Sequence, residues 1–271
     1  MRSFLFILVA AFSLNAQNYF SQPVWLQAVG AAPEAEETPF DPSNIPGYTS
    51  FVSFIADDIV GQTGANALTN WPDLSGNSRN LGSINSASST NATVETSSLS
   101  PKKCVLFGKT NGKTERMRTP NFADSGQFEI VILLCRTNDT AQPWIWMDGA
   151  ETTYFQDRSG NPLMVFRAGS TATHALTITN RWYVLGLIAS GTNSTTSEIW
   201  TNNVAVTTSL NTGTLGISGG LAIGGEWSTG AGSYATTLIA EFHGYSTKLS
   251  TGARDGLYNY FKTNYSAANL P

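Results

Sequence analysis

The sequence is poor in the residue types on which most catalytic and metal sites depend. Its 271 residues include only two histidines and two cysteines, and charged residues make up 13%. His174 stands in a predicted turn and His243 in a predicted core strand, so each is expected to be structural rather than a catalytic base. Because the cysteines and histidines show no paired ligand spacing, the sequence predicts no zinc site.

Clusters of basic residues are also lacking. The formal net charge is −4, and beyond Lys102 and Lys103 there is only a sparse run of Lys109, Lys113, Arg116 and Arg118. Nucleic-acid binding is therefore not expected, because the basic footprint that it needs is missing. Ser, Thr, Asn and Gly dominate the polar positions, which favours the exposed strands and turns of a surface or extracellular protein.

No strand carries the carboxylate ladder that glycosidases with a sandwich fold use. Such enzymes carry the acid and the nucleophile as carboxylates that alternate along one strand, as in Glu-x-Asp-x-Glu, so that they lie on one face. Here Glu129, Glu198 and Glu241 each stand alone in an apolar strand. The sequence therefore predicts a protein that is not an enzyme, with glycan cleavage as a lesser alternative.

Most of the chain has the pattern of short strands separated by turns. Runs rich in β-branched and aromatic residues, such as 128–136, alternate with Gly, Asn and Ser turn signals. Asn202 and Asn203 are typical of a hairpin tip, since both tolerate positive φ. One helix is predicted, from residue 251 to about 262, with Ser250 as its cap. The pattern predicts an all-β, two-sheet antiparallel β-sandwich with a short C-terminal helix.

The stretch Trp-Pro-Asp-Leu-Ser-Gly-Asn-Ser-Arg-Asn at 71–80 combines an apolar anchor with turn-forming residues. Trp71 is expected to fill one end of the sandwich core. Asp73 and Asn77 can hydrogen-bond backbone N–H groups two residues on, and Gly76 supplies a positive φ. A structural corner is the main interpretation, and a ligand or calcium site built on Asp73 is the alternative.

This stretch resembles the "W-x-D-x-S-G-N-x-x-N" signature of laminin-G-like modules in the concanavalin A-like lectin and glucanase superfamily. Segment 103–108 resembles the family's core strand with its final aromatic–glycine pair, and 221–225 resembles its "IGG" motif. Segments 238–246 and 249–261 are similar to the family's ending. The resemblance implies a jelly-roll, concanavalin A-like sandwich over 46–271, although a shared fold does not settle function. It also implies structural roles for Trp71, Gly76, Phe107, Gly224 and Gly225.

The first 45 residues are predicted to lie outside the sandwich. Residues 1–16 combine Arg2 with an apolar stretch and a small residue, Ala16, after which a signal peptidase can cut. The segment is too short for a spanning helix, which needs about 20 apolar residues. It is either a cleaved signal peptide or an assembly arm whose residues 4–14 bury against neighbouring subunits. Residues 17–45 are acidic and punctuated by proline, which predicts an extended tether.

Aromatic side chains in loops are the remaining candidates for binding. Glycan sites stack an aromatic face on a sugar ring and fix hydroxyls with Asn or Asp side chains. Trp227 and Tyr234 lie in the Gly/Ser-rich loop 225–234 and are the candidate contacts, with Asp73 and Asn77 as candidate polar partners. The preferred hypothesis is a lectin-like module that binds a glycan or a surface partner outside the cell. The alternative is a virion decoration or host-attachment protein held by its N-terminal arm.

Two expectations concern the core. Trp144 and Trp146 alternate with Ile145, so both indoles are expected on one face of their strand. Cys104 and Cys135 are expected in adjacent strands, either as buried free thiols or, in a secreted protein, as a cross-strand disulfide.

Overall fold

The computed structural model describes residues 39–62, 64–84, 89–96, 98–110, 113–136, 144–158, 163–168, 170–175, 181–189, 197–210, 216–225, 227 and 236–271. One compact unit runs from Phe40 to Pro271, and the predicted sandwich boundaries at 46 and 271 stay predictions. The predicted arm at 1–16 lies outside the described residues, as does the tether up to residue 38. Both interpretations of the N-terminal segment therefore stay predictions.

Strands account for most of the described chain. In order they are β1 (Ser50–Ile55), β2 (Gly64–Ala67), β3 (Asn70–Trp71), β4 (Leu81–Ser83), β5 (Ser89–Thr90), β6 (Thr93–Glu95), β7 (Cys104–Phe107), β8 (Lys109–Thr110), β9 (Lys113–Glu115), β10 (Met117–Arg118), β11 (Ala123–Ser125), β12 (Phe128–Arg136), β13 (Trp144–Asp148), β14 (Thr153–Arg158), β15 (Leu163–Ala168), β16 (Ser170–Ala175), β17 (Trp182–Ala189), β18 (Ser197–Thr201), β19 (Val204–Leu210), β20 (Gly216–Ser218), β21 (Leu221–Ile223) and β22 (Thr237–Tyr245). The helix α1 spans Thr251–Asn264, and 3₁₀ turns lie at Ala56–Asp58 and Ser266–Ala268.

Two antiparallel sheets form the sandwich. Sheet A has the strand order β19-β18-β17-β12-β22-β7-β6-β2, and β1 also pairs with β22. Sheet B has the order β16-β15-β14-β13-β21-β10-β4-β3. Smaller ladders join β11 to β20, and β5 and β8 to β9. The predicted all-β antiparallel sandwich with a C-terminal helix is confirmed.

Strands β12 and β22 form the centre of sheet A and are buried along their whole lengths. In β12, Ile130 and Ile132 face the core between the sheets, whereas Val131 and Leu133 belong to a second apolar cluster on the outer face. Because side chains alternate along a strand, an apolar run of this kind buries both faces at once.

Helix α1 covers the outer face of sheet A. Its N-cap is Ser250, whose Oγ accepts a hydrogen bond from Ala253 N at 3.2 Å. Leu257 and Phe261 are fully buried in the outer cluster, together with residues of β12 and β22. The predicted helix and its cap are confirmed, and the helix continues to Asn264.

Trp71 lies in the core between the two sheets. Its side chain is fully buried, and its ring centroid is 5.7 Å from that of Phe54 and 6.5 Å from that of Phe107. Phe107 in turn packs against Gly224, where φ is +83° and an added Cβ would lie 2.1 Å from the Phe107 ring. Any side chain at this glycine would therefore displace the phenyl ring. Gly225, the next residue, is also buried.

The corner after Trp71 is held by the carboxylate of Asp73. Its Oδ1 accepts hydrogen bonds from Ser53 N at 2.9 Å and Ser75 N at 3.0 Å, while its Oδ2 accepts from Arg79 N at 2.9 Å and Ser75 Oγ at 2.9 Å. Gly76 has a φ of +82° at the tip of the turn. Because Ser53 belongs to β1, the carboxylate fastens the corner to sheet A.

The two cysteines lie in strands that do not pair with each other. Strand β22 separates β7, which holds Cys104, from β12, which holds Cys135. Two strand spacings amount to about 9.6 Å, which is longer than the Cα separation of about 7 Å that a disulfide tolerates. The expectation of adjacent strands is therefore wrong. Both thiols are free, and burial raises their pKa values to about 12 and about 11 respectively.

Glu129 is a fully buried carboxylate between β12 and the start of α1. Its Oε1 accepts a hydrogen bond from Trp200 Nε1 at 2.8 Å, and its Oε2 accepts one from Leu249 N at 2.7 Å. Arg254 Nε lies 4.0 Å from Oε1. Burial raises the pKa of Glu129 to about 7, although the Leu249 N–H and the Arg254 charge act in the opposite direction.

Removing the Trp71 side chain tests whether the corner anchors the core. Trp71→Ala should lower the free energy of unfolding by about 3 to 5 kcal/mol, because a large buried aromatic group is replaced by a cavity. Urea denaturation of the wild type and the variant measures this loss. Leu74→Ala is the matched control in the same corner, where the side chain is 37% exposed, and it should cost at most about 0.5 kcal/mol. Equal losses in the two variants would show that Trp71 is no anchor.

The raised pKa of Glu129 predicts a pH-dependent stability. The unfolded chain loses this proton near the ordinary pKa of 4.5, whereas the folded chain keeps it up to about 7. The contribution of Glu129 to folding is therefore complete below 4.5 and is lost as the pH rises to about 7. Relative to wild type, Glu129→Gln should gain up to about 3 kcal/mol in unfolding free energy across that range. Urea titrations between about pH 4 and about pH 8 check it, and a difference that stays constant with pH would contradict it.

Candidate functional site

An aromatic cluster lies on the outer face of sheet B, on the side away from the sandwich core. Met147 of β13 and Tyr154 of β14 are buried there, and the half-buried indoles of Trp144 and Trp227 pack against them. We call these four residues the outer aromatic cluster. Two of its large aromatic side chains, those of Trp144 and Trp227, are partly exposed.

An irregularity in the β13–β14 ladder brings Trp144 to this face. The register of the two strands shifts between Trp144 and Trp146. Ile145 and Trp146 both belong to the core between the sheets, whereas Trp144 packs in the outer aromatic cluster. The expectation that both indoles share one face is therefore wrong, because a bulge adds a residue and breaks the strict alternation.

The cluster is ordered by contacts between its own rings. The ring centroids of Trp144 and Tyr154 are 4.5 Å apart, and the ring planes are at 74° to each other. This edge-to-face arrangement is one that aromatic pairs prefer, and it fixes the orientation of the exposed indole.

Arg118 borders the cluster from β10. Its guanidinium carbon lies 4.7 Å from the ring centroid of Trp227, a cation–π contact. The ladders place Arg118 opposite Ala222 and Ala222 opposite Met147, so the three residues form one row across sheet B. The sequence showed Arg118 only as part of a sparse basic run, and nothing in that run pointed to a neighbouring indole.

The candidate ligand residues lie in different places. Trp227 is in the outer aromatic cluster, and Tyr234 lies outside the described residues. Asp73 and Asn77 are in the corner after β3, where Asn77 Nδ2 donates to Ser50 O at 2.9 Å. The hydrogen bonds described for these two side chains either link the corner to β1 or stay within the corner. A ligand-binding role for Asp73, Asn77 or Tyr234 stays a prediction.

Calcium at Asp73 would compete with the hydrogen bonds already described. A cation there would have to displace the donors that occupy both carboxylate oxygens, three of them backbone N–H groups of β1 and of the corner. Within the described residues, no group of three or more His, Cys, Asp or Glu side chains is arranged to hold a metal ion.

A buried polar chain joins β1, β22 and α1. Ser53 Oγ lies 2.9 Å from His243 Nδ1, and His243 Nε2 lies 2.7 Å from Glu241 Oε2. The hydroxyl of Tyr260 donates to Glu241 Oε1 at 2.8 Å, and that of Tyr265 donates to the same oxygen. Burial and the nearby Glu241 charge raise the pKa values of both tyrosines, which keeps them protonated as donors.

The order serine, histidine, carboxylate also occurs in hydrolases, but here the serine is sealed. Ser53, His243 and Glu241 are all 0% exposed. A nucleophilic serine must reach the substrate and lie beside an oxyanion site, whereas this hydroxyl is enclosed in sheet A. The chain of hydrogen bonds therefore satisfies buried polar groups and ties the helix region to the sheet, which agrees with the expected structural role of His243.

No protein-family profile matches the chain, and no curated protein matches it either. Solved structures do show a similar fold. One is the binding domain of botulinum neurotoxin DC in complex with rat synaptotagmin II, with a TM-score of 0.55 and 12% identity, covering 78% of this chain and 51% of that one.

Two further structures match to the same degree. One belongs to a study in which cell entry of botulinum neurotoxin type C depends on interaction with two ganglioside molecules, with a TM-score of 0.54, 13% identity and coverage of 78% and 51%. The other is the binding domain of Paraclostridial Mosquitocidal Protein 1, with a TM-score of 0.54, 12% identity and coverage of 79% and 52%.

These matches establish a shared sandwich fold with binding domains of toxins. The chain spans about half the length of each of those structures, and the identities are too low to transfer a ligand. In the described part of the chain, no helix has the length and apolar character needed to cross a membrane.

The structural role of the buried polar chain is open to a direct test. Tyr265→Phe removes one of two hydroxyl donors to a carboxylate with no access to water, and should lower the unfolding free energy by about 1 to 3 kcal/mol. Tyr258→Phe is the control, since that hydroxyl donates to the Pro271 carbonyl at the chain end. Thermal denaturation followed by circular dichroism measures both. A Tyr265 variant as stable as the Tyr258 variant would show that the hydrogen bond from Tyr265 to Glu241 does not stabilise the fold.

Proposed function

We propose that this chain is a non-catalytic binding module that holds a carbohydrate against the outer aromatic cluster. The observation that carries the proposal is the partial exposure of two indoles. Trp144 and Trp227 remain partly exposed, although Met147 and Tyr154 beneath them are buried. Large aromatic side chains that are packed from below and open above form a platform rather than part of a core.

Carbohydrate suits this platform for a physical reason. The C–H faces of a pyranose ring are apolar and flat, so an indole can stack on them while nearby polar groups bind the hydroxyls. The edge-to-face contact with Tyr154 holds Trp144 in place before a ligand arrives. Ordering costs on binding are therefore reduced.

Asp148, a buried carboxylate near the cluster, is not placed for glycoside hydrolysis. Asp148, at the end of β13, is fully buried and accepts hydrogen bonds from Thr152 N at 2.8 Å and Thr153 N at 2.9 Å. It is thus committed to the turn that follows β13. Hydrolysis requires two carboxyl groups that flank the glycosidic bond, and Asp148 offers no free oxygen for that purpose.

The matched structures support a role in binding. They are binding domains, and one of them is described with gangliosides, which are glycan-bearing lipids. We extend the proposal to an extracellular or cell-surface setting, in keeping with the low charge and the Ser/Thr/Asn-rich strands. The resemblance to laminin-G-like modules of the concanavalin A-like superfamily belongs to the same proposal.

Binding to immobilised glycans tests the proposal. The wild-type chain should bind at least one glycan on an array, and both Trp144→Ala and Trp227→Ala should weaken that binding about tenfold or more, as expected for aromatic anchors. Val204→Ala is the control, because Val204 is 63% exposed and lies on β19, outside the cluster. Isothermal titration calorimetry gives the affinities, and melting curves show that each variant is folded.

Two outcomes would contradict the proposal. Binding that survives both tryptophan substitutions would place the ligand elsewhere. Release of reducing ends from β-glucans, alginate or galactans, lost in Glu241→Gln, would show that the chain is an enzyme.

A further inference from the structure

Arg118 is a half-buried cation beside the outer aromatic cluster. Its Nε–H is buried and has no hydrogen-bond partner among the described residues. None of the ion pairs formed within the described part of the chain includes Arg118. Desolvation by burial lowers the pKa of its guanidinium, and the charge of Glu151 acts in the opposite direction.

Another stacked arginine of this chain shows what a purely structural role looks like. The guanidinium of Arg79 lies 4.0 Å from the ring centroid of Phe122, and its Nη1 also donates to Phe51 O at 3.0 Å. Arg79 therefore combines ring stacking with a hydrogen bond that fastens the corner to β1. Arg118 has the ring contact on Trp227, and its buried Nε has no hydrogen-bond partner among the described residues.

A partly exposed guanidinium beside a binding platform, with no ion pair among the described residues, favours an anionic ligand. Partial removal of a charged group from water is costly, and a carboxylate that pairs with the accessible part of the guanidinium offsets some of that cost on binding. The planar fork of arginine matches a carboxylate with two parallel hydrogen bonds.

The neighbouring charges set limits on the site. The charge of Glu151, an exposed residue, acts on Arg118 and reduces the local positive potential. Asp148 is held by the turn after β13.

We propose that Arg118 binds the carboxylate of an acidic saccharide, a sialic or uronic acid, whose ring lies on the outer aromatic cluster. The proposal rests on the carbohydrate-binding function proposed above and names its ligand class. Because Arg118 covers one face of Trp227, the sugar ring takes the exposed part of that indole or the face of Trp144. Sialic and uronic acids both have a pyranose ring with a carboxylate, which is the chemistry that Arg118 recognises.

Two matched pairs of probes test the ligand class and separate the two sources. The first pair is 3′-sialyllactose and lactose, and the second is trigalacturonic acid and its methyl ester. Calorimetry at low salt should give an affinity about tenfold or more higher for the acidic member of at least one pair. The difference should shrink as salt is added, because exposed charges are screened.

Variants of Arg118 then test whether this residue causes the affinity difference between the acidic and the neutral member of a pair. Arg118→Ala should abolish the preference for the acidic member while leaving the weak binding of the neutral member unchanged. Arg118→Lys should restore only part of it, since an ammonium lacks the bidentate fork. Arg181→Ala is the matched control, because that guanidinium lies 5.9 Å from the ring of Tyr183, outside the cluster, and it should leave the preference intact.

Each outcome is decisive. Equal affinities within both pairs, or a preference that survives Arg118→Ala, would overturn the acidic-saccharide proposal while the carbohydrate-binding function stands. Failure of both pairs, joined with failure of every glycan on the array, would overturn the function as well.

Discussion

The burial of strands β12 and β22 on both faces is the constraint on which the rest of the structure depends. One face of this strand pair packs against sheet B and the other lies under α1. Buried polar groups must find partners inside the protein, because unpaired ones are costly in a low-dielectric interior. Glu129, Glu241 and His243 therefore have partners supplied by β1, β18, and α1 with its flanking residues.

The same constraint decides where a ligand can bind. Sheet A has no broad face left at its centre, since α1 and the residues around it cover the outer side. Sheet B faces the core with one side, and its other side carries the outer aromatic cluster with its two partly exposed indoles. The irregularity in β13 moves one indole from the core side to that outer side. The bulge therefore places a tryptophan, a residue type that is common in cores, on the outer face of the sheet.

The sequence was sufficient for the features that depend on local patterns. Apolar runs predicted β12 and β22, the Ser250 cap predicted the start of α1, and Asn202 and Asn203 have the positive φ values expected at a hairpin tip. Each of these follows from residues close together in the chain. The pattern of alternation failed at Trp144, because a bulge has no signature in a short aromatic run. His174 also lies in strand β16 rather than in the predicted turn.

Features that join distant segments were beyond sequence reasoning. Ser53 and His243 are 190 residues apart, and nothing near either residue signals the other. Arg118 and Trp227 meet because β10 pairs with β21 at the middle of sheet B, and the loop carrying Trp227 follows β21. Such a pairing follows from the register of the strands, which is set by the whole core rather than by the segments themselves.

The surroundings of Glu241 differ from those of Arg118. The first serve a structural role, and the second belong to the proposed binding surface. Around Glu241, each oxygen has a donor or a histidine partner, and Ser53, His243 and Glu241 are sealed from water. Around Arg118, a buried N–H has no partner among the described residues, and the adjoining indole is partly exposed. The buried chain around Glu241 is completed within the fold, and each bond missing there would lower stability. Arg118 lies instead at a partly exposed aromatic surface, and that is the physical reason to look for the ligand on sheet B.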